Sequence, residues 1–258
     1  MIKIKRVKDK LIEEIKQLNK SRGSIEDYHF NFLKNFYENS KFMHLHINVE
    51  TEKYIFEIAY RQYFVFLISC WETYFRDIFI LIYTLDESLL NDFLSEFDID
   101  DDVYLKIENH DIKIVELLSK KFNFQDISKI NQAFSNFICE DDFFNYINTY
   151  EIKSCILNEK NITNLSVESL FINCNELISN TFKIRHKVIH DANYRLTIDI
   201  EFIQQVEAIF LLVPQIVTYI IVNKFNLNTI RLFQDDSVNS EYYIFNMQNV
   251  LADDWVIN

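Results

Sequence analysis

The chain has one glycine, Gly23, and one proline, Pro214, among 258 residues. Tight turns draw on these residue types for their special backbone angles, and a sheet-rich fold needs many such turns. Their scarcity argues against most β architectures and predicts an all-α protein. It also removes every glycine-built phosphate cradle, and with it the P-loop and dinucleotide-binding folds. Paired cysteines are missing too. Cys70, Cys139, Cys155 and Cys174 have no CxxC spacing and sit in apolar patterns, where cysteine behaves as a small hydrophobe. They are expected as reduced core residues of a cytoplasmic protein. No apolar segment follows the basic N-terminus as in a secretory signal. The longest uncharged run, Ala208 to Asn223, has sixteen residues, short of the roughly 20 that cross a bilayer, so no membrane partner is expected.

Positive charge is in deficit: 26 Lys and Arg stand against 39 Asp and Glu, a net charge of -13. Chain-wide attraction to nucleic acid or an anionic membrane needs a surplus of cations, so any polyanion must be met locally. Cations gather in two places. Between Lys3 and Arg22 eight Lys and Arg face three acids, the pattern of a polar helix over residues 2 to 20 with a solvated face. The second place is FKIRHKVIHDANYR, Phe182 to Arg195, with four cations and two histidines in fourteen residues. Residues 86 to 102, by contrast, hold eight acids and no Lys or Arg. Their DIDDD run lacks the glycine and closing glutamate of an EF-hand, so a solvated acidic connection is expected rather than a calcium site.

Aromatic and aliphatic residues are abundant, 49% of the chain being hydrophobic, which suits a folded core. From Thr51 to Leu85 apolar residues recur at helical spacing on more than one face, predicting a long central helix. Glu72 lies on one of its apolar lines, and a carboxylate there needs a partner. Ser166 is expected to cap a second core helix with a buried stripe through Val167, Leu170, Cys174 and Ile178, which Arg185 continues. A third runs from Ile200 to Lys224 with a kink at Pro214. Three shorter helices are expected between Val103 and Leu157, broken near Asn123 and Glu140, and a small β-hairpin in the tail beyond residue 226. The implied organisation is an N-terminal helical arm (1–50), a helical domain (51–225) with an insertion at about 86–160, and a C-terminal appendage (226–258).

FKIRHKVIHDANYR is where these patterns meet chemistry. Cleaving RNA without a metal requires a proton donor for the leaving 5′-oxygen and a cation for the phosphorane charge, with the 2′-hydroxyl as nucleophile. His190 and Arg185, five positions apart at the end of a helix, offer both. The guanidinium fork matches phosphate, and imidazole exchanges protons near neutral pH. His186 and His190 have the spacing of a zinc-binding HExxH, but a lysine stands where its glutamate belongs and no third ligand is evident, so no metal is expected. His29, His44, His46 and His110 remain as surface or core histidines.

RHKVIH resembles the R-x4-6-H motif of HEPN-domain ribonucleases, helical proteins in which the motif ends a core helix and precedes a loop and another long helix. FLISCWETYFRDIF is similar to the earlier helix of that family, where an acidic residue often holds the motif arginine. The resemblance covers roughly residues 51 to 225. It implies a HEPN-like bundle with two long core helices and extra helices inserted. Arg185 and His190 would be catalytic, with His186, Glu72 and Tyr194 supporting, and Lys183, Lys187 and Arg195 contacting RNA. It implies metal- and cofactor-independent cleavage to a 2′,3′-cyclic phosphate and a 5′-hydroxyl. The expected partners are single-stranded RNA or tRNA, a second copy in a homodimer, and an antitoxin or defence-system protein. The competing expectation is a non-catalytic HEPN-like module that binds RNA or protein within a larger defence complex. Toxins of the family silenced by a nucleotidyltransferase carry a tyrosine two residues after the histidine; Ala192 holds that place.

Overall fold

Trp71 is fully buried, and the rings around it show how the chain is assembled. Phe75 and Phe210 lie 4.6 Å from it between ring centroids, Phe182 6.0 Å and Phe144 6.3 Å away. Each belongs to a region distant in sequence except Phe75, so helices poor in alanine are held by aromatic burial rather than by intrinsic propensity. The protein, a computed structural model, is described over residues 2–19, 23–48, 53–138, 142–155, 162–191, 193–196 and 200–227. The expected C-terminal hairpin lies outside these.

The described chain is predominantly helical. It opens with β1 (Ile2–Ile4), α1 (Asp9–Asn19), α2 (Ile25–Asn48) and α3 (Lys53–Leu85), followed by α4 (Glu87–Leu94), β2 (Phe97–Ile99) and α5 (Asp101–Glu108). Then come α6 (Ile114–Ser119), α7 (Ile127–Ile138), α8 (Phe143–Thr149), β3 (Ile152–Cys155) and β4 (Ile162–Leu165), and finally α9 (Val167–Leu170), α10 (Cys174–His190) and α11 (Ile200–Phe225). α2 and α3 run antiparallel: Asn39 donates to the Tyr63 carbonyl at 3.1 Å, while Phe32, two turns earlier, meets Tyr74 further along α3 at 5.3 Å. α11 alone, among the described helices, is long and apolar enough to cross a membrane, yet 83% of its apolar window is buried inside the fold. It is a core helix, and it stays helical through Pro214.

Two expectations change here. The N-terminal helix is shorter than residues 2–20 and not solvated all round: β1 precedes α1, and Ile4, Val7, Ile12 and Ile15 join the same core cluster as α3. The acidic stretch is no loose connection either. It forms α4, capped by Asp86, then β2 and the start of α5. β2 pairs in parallel with β1, placing Ile2, Lys3 and Ile4 opposite Phe97, Asp98 and Ile99. Lys3 bridges Asp98 at 3.3 Å, and Lys106 reaches Asp9 at 2.7 Å and the Val7 carbonyl at 2.8 Å. Lys3–Asp98 thus joins the basic N-terminus to the acidic segment, while Lys106, just beyond that segment, pairs with an acid of α1. β3 and β4 form an antiparallel pair that composition did not signal.

Cys70 and Cys174 are free thiols, and burial pushes them up to about 11 and about 12 respectively. At neutral pH neither is a thiolate, the state in which cysteine reacts.

Two histidine contacts, one buried and one half-buried, tie α2 to α11. His29 shares a 3.0 Å hydrogen bond with Thr218, whose hydroxyl lies 2.7 Å from that of Tyr74, and Tyr74 donates to the Pro214 carbonyl at 2.6 Å. Nearer the other end of the pair, His44 Nε2 donates to Glu207 Oε2 at 2.9 Å, and the Glu207 side chain is only 1% exposed. The hydrogen bond to Glu207 raises the His44 pKa above its ordinary value, against a smaller opposing effect of burial. A raised folded pKa contributes stability that is complete below the unfolded value of about 6.5 and is lost as pH climbs through the folded one. Thermal midpoints are therefore expected to fall from pH 6.5 upward, and His44→Gln should flatten that alkaline limb. An identical limb in the variant would remove His44 as its source.

Candidate functional site

α10 carries the site, and its own stripe explains Arg185. Cys174, Ile178, Thr181 and Val188 are buried, and position 185 falls in that 4-3-4-3 series. The helix does not, however, run continuously from Ser166. Ser166 and Ser169 close a capping box around the short α9, the backbone leaves helical angles at Phe171, and α10 starts at Cys174. Val167, Cys174 and Ile178 of the expected stripe are buried, but Leu170, the last residue of α9, is 47% exposed.

Arg185 is half-buried, and its Nε is fully buried without a hydrogen-bond partner among the described residues. The expected partner Glu72 is engaged elsewhere: its carboxylate is bound by Arg76 and by Gln125. Arg76 follows Glu72 by one turn of α3 and meets it along the same helix, a shorter reach than a crossing to α10. Glu72 is thus not the holder of Arg185, which makes no ion pair among the described residues.

His190 is the last residue of α10 and is exposed. His186 stands one turn before it, also exposed, with the two ring centroids 4.4 Å apart. Lys183, Lys187 and Arg195 are exposed as well, and Lys187 lies over the half-buried ring of Tyr194 at 5.4 Å. One face of α10 therefore gathers His186, His190, Lys187 and Tyr194. Arg185 does not share it: five residues of helix place it about 140° round from His190. Among the described residues no group of three or more His, Cys, Asp or Glu assembles as a metal site.

Sequence reasoning missed Arg61. From α3 its guanidinium donates to the carbonyls of Tyr194 at 3.0 Å, Val188 at 3.1 Å and Asp191 at 3.2 Å. One side chain thereby joins the end of α10 to the loop that follows.

None of these residues lines a described cavity. A space of about 510 Å³ lies beside α5 and α6, against Tyr104, Glu108, Asp111 and Lys113, and one of about 230 Å³ lies between α2 and α3. Small-molecule sites are concave and enclose their ligand. An open basic surface suits a polymer that binds along it. Comparison with family models, with curated proteins and with solved structures found no match to this chain.

Proposed function

We propose that the end of α10 is the active site of a metal-independent endoribonuclease of HEPN type, acting in the cytosol as a toxin or phage-defence effector. The observation that carries this reading is the state of Arg185: a half-buried guanidinium with a buried Nε and no carboxylate partner, on the helix turn that also carries the exposed His186 of the histidine pair. A half-buried arginine that serves only structure is commonly paired with a carboxylate. An unpaired one is ready for phosphate, and Lys183, Lys187 and Arg195 supply further phosphate contacts on a chain whose net charge otherwise repels RNA.

In this scheme His190 protonates the leaving 5′-oxygen while the substrate's 2′-hydroxyl attacks phosphorus, and Arg185 stabilises the phosphorane. Because Arg185 and His190 point from different sides of one helix, a composite cleft between two protomers brings them to one phosphate, with isologous contacts about α10. Ile189 and Ile200, 44% and 50% exposed, flank the loop and offer apolar surface for that contact.

The test is purified protein with end-labelled RNA in excess EDTA. Cleavage is expected in the wild type. Equal cleavage by His190→Ala protein would refute the assignment, and RNA binding without cleavage would favour a non-catalytic binding module instead.

A further inference from the structure

The end of α10 has a problem that the chain's composition creates. The last four carbonyls of a helix have no partner within it, and the usual remedy is a glycine in left-handed conformation just past the end. With one glycine in the chain, other helices use substitutes. Asp111 (φ 55) follows α5, where the Ile112 amide returns to the Ile107 carbonyl. Asn226 (φ 49) follows α11, where the Leu227 amide returns to Val222. α10 has neither: Asp191 is extended at φ -125, and its amide reaches only Lys187. The carbonyls of Val188 and Asp191 are instead taken by Arg61.

We infer that Arg61 is the positioning residue of the α10 site: a guanidinium clamp that fixes the last turn of α10 and folds its loop back, thereby setting where His190 and Tyr194 stand. This deepens the ribonuclease reading and rests on it for its catalytic consequence. The clamp spans both sides of His190, holding Val188 two residues before it and Asp191 one after. Its third bond, to the Tyr194 carbonyl, works with the Asp191 carbonyl, which accepts from the Tyr194 amide at 3.1 Å. Tyr194 is thereby tied through both backbone groups, and its ring is held where Lys187 lies over it. A cation at this end also complements the helix dipole. The fork geometry matters, because an ammonium cannot hold three carbonyls spread over seven residues in one rigid arrangement.

The experiment compares wild type, Arg61→Ala and Arg61→Lys by single-turnover RNA cleavage and by NMR of the His190, Tyr194 and Trp71 rings. Misplacing a reacting group by about 1 Å costs on the order of 100-fold in rate. Arg61→Ala should therefore lower kcat by roughly 10- to 100-fold with KM changed less than about 3-fold, and Arg61→Lys should lie between. In the alanine variant the His190 and Tyr194 signals should shift while the buried Trp71 indole signal stays, separating a local from a global effect. Unchanged kcat with unmoved His190 and Tyr194 signals in folded Arg61→Ala protein overturns the inference. Should Arg61→Ala fail to fold, folded Arg61→Lys protein carries the test: reduced kcat with shifted His190 signals supports the clamp, and wild-type values for both overturn it. If wild type cleaves no RNA but the His190 and Tyr194 signals still shift, the ribonuclease reading has failed and the clamp stands.

Discussion

Replacing His190 by alanine is expected to lower single-turnover RNA cleavage by about 10³-fold, the usual contribution of a positioned general acid. Stability should barely change, because His190 is exposed and makes no buried contact. Arg185→Ala is expected to cost about 10²- to 10³-fold, as removal of a charge-stabilising donor does. The two losses have different accompaniments. Arg185 continues a buried stripe, so its truncation also removes packing and should lower the thermal midpoint. Arg185→Lys, which keeps charge but loses the fork, should recover little activity. Urea melts beside the rate measurements separate catalytic loss from unfolding, and a His190→Ala enzyme within a few-fold of wild type would remove the histidine from the chemistry.

Acid should unfold the protein partly through one residue. His29 is fully buried, and desolvation pushes its pKa down to about 3. The unfolded chain takes this proton near pH 6.5, the native one only near 3, so stability is lost as pH falls between them. With the unfolded histidine half protonated at pH 6.5 and a limiting slope of about 1.36 kcal/mol per pH unit, the fall from 6.5 to 4.5 costs about 2 kcal/mol from His29 alone. Neutral His29 suits its surroundings. With the proton on Nδ1, it donates to Thr218, Thr218 to Tyr74 and Tyr74 to the Pro214 carbonyl, so every hydroxyl donates once. Denaturant melts of wild type and His29→Leu at pH 6.5 and 4.5 check this. The acidic side chains titrate in both proteins, and the difference in slopes isolates His29. Parallel slopes would show that its proton uptake is not linked to unfolding. His44 acts in the opposite direction, so the combined contribution of these two histidines is greatest near pH 6.5.

How much of this was visible in the sequence depends on the range over which each feature is decided. Helix content and the extents of α3 and α11 are local patterns, and they appear where 3-4 spacing places them, although Ile58 and Phe66 of the α3 series are exposed. Ser166 caps a helix as expected, though a short one. Features that depend on distant partners were not legible. The acidic segment looked solvated because its complements, Lys3 and the β1 backbone, lie over 90 residues away. Glu72 was matched to Arg185 by resemblance, whereas a nearer arginine on its own helix binds it. Arg61 carries no signal at all: an arginine on a long helix has the pattern of a solvated face, and the carbonyls it holds lie about 130 residues on. Arg185 and His190 could be picked out as candidates because the chemistry proposed for them needs only two residue types at one spacing, while the bonds Arg61 makes on either side of His190 are entirely tertiary.

The claim that α10 ends in a site for 2′-hydroxyl attack is tested most directly by an RNA carrying one 2′-deoxynucleotide at the mapped cleavage position. In EDTA, wild-type protein should cut the all-ribose strand to a 2′,3′-cyclic phosphate and a 5′-hydroxyl and leave the deoxy-substituted position intact. Cleavage at the deoxy position, or a 5′-phosphate product, would contradict it.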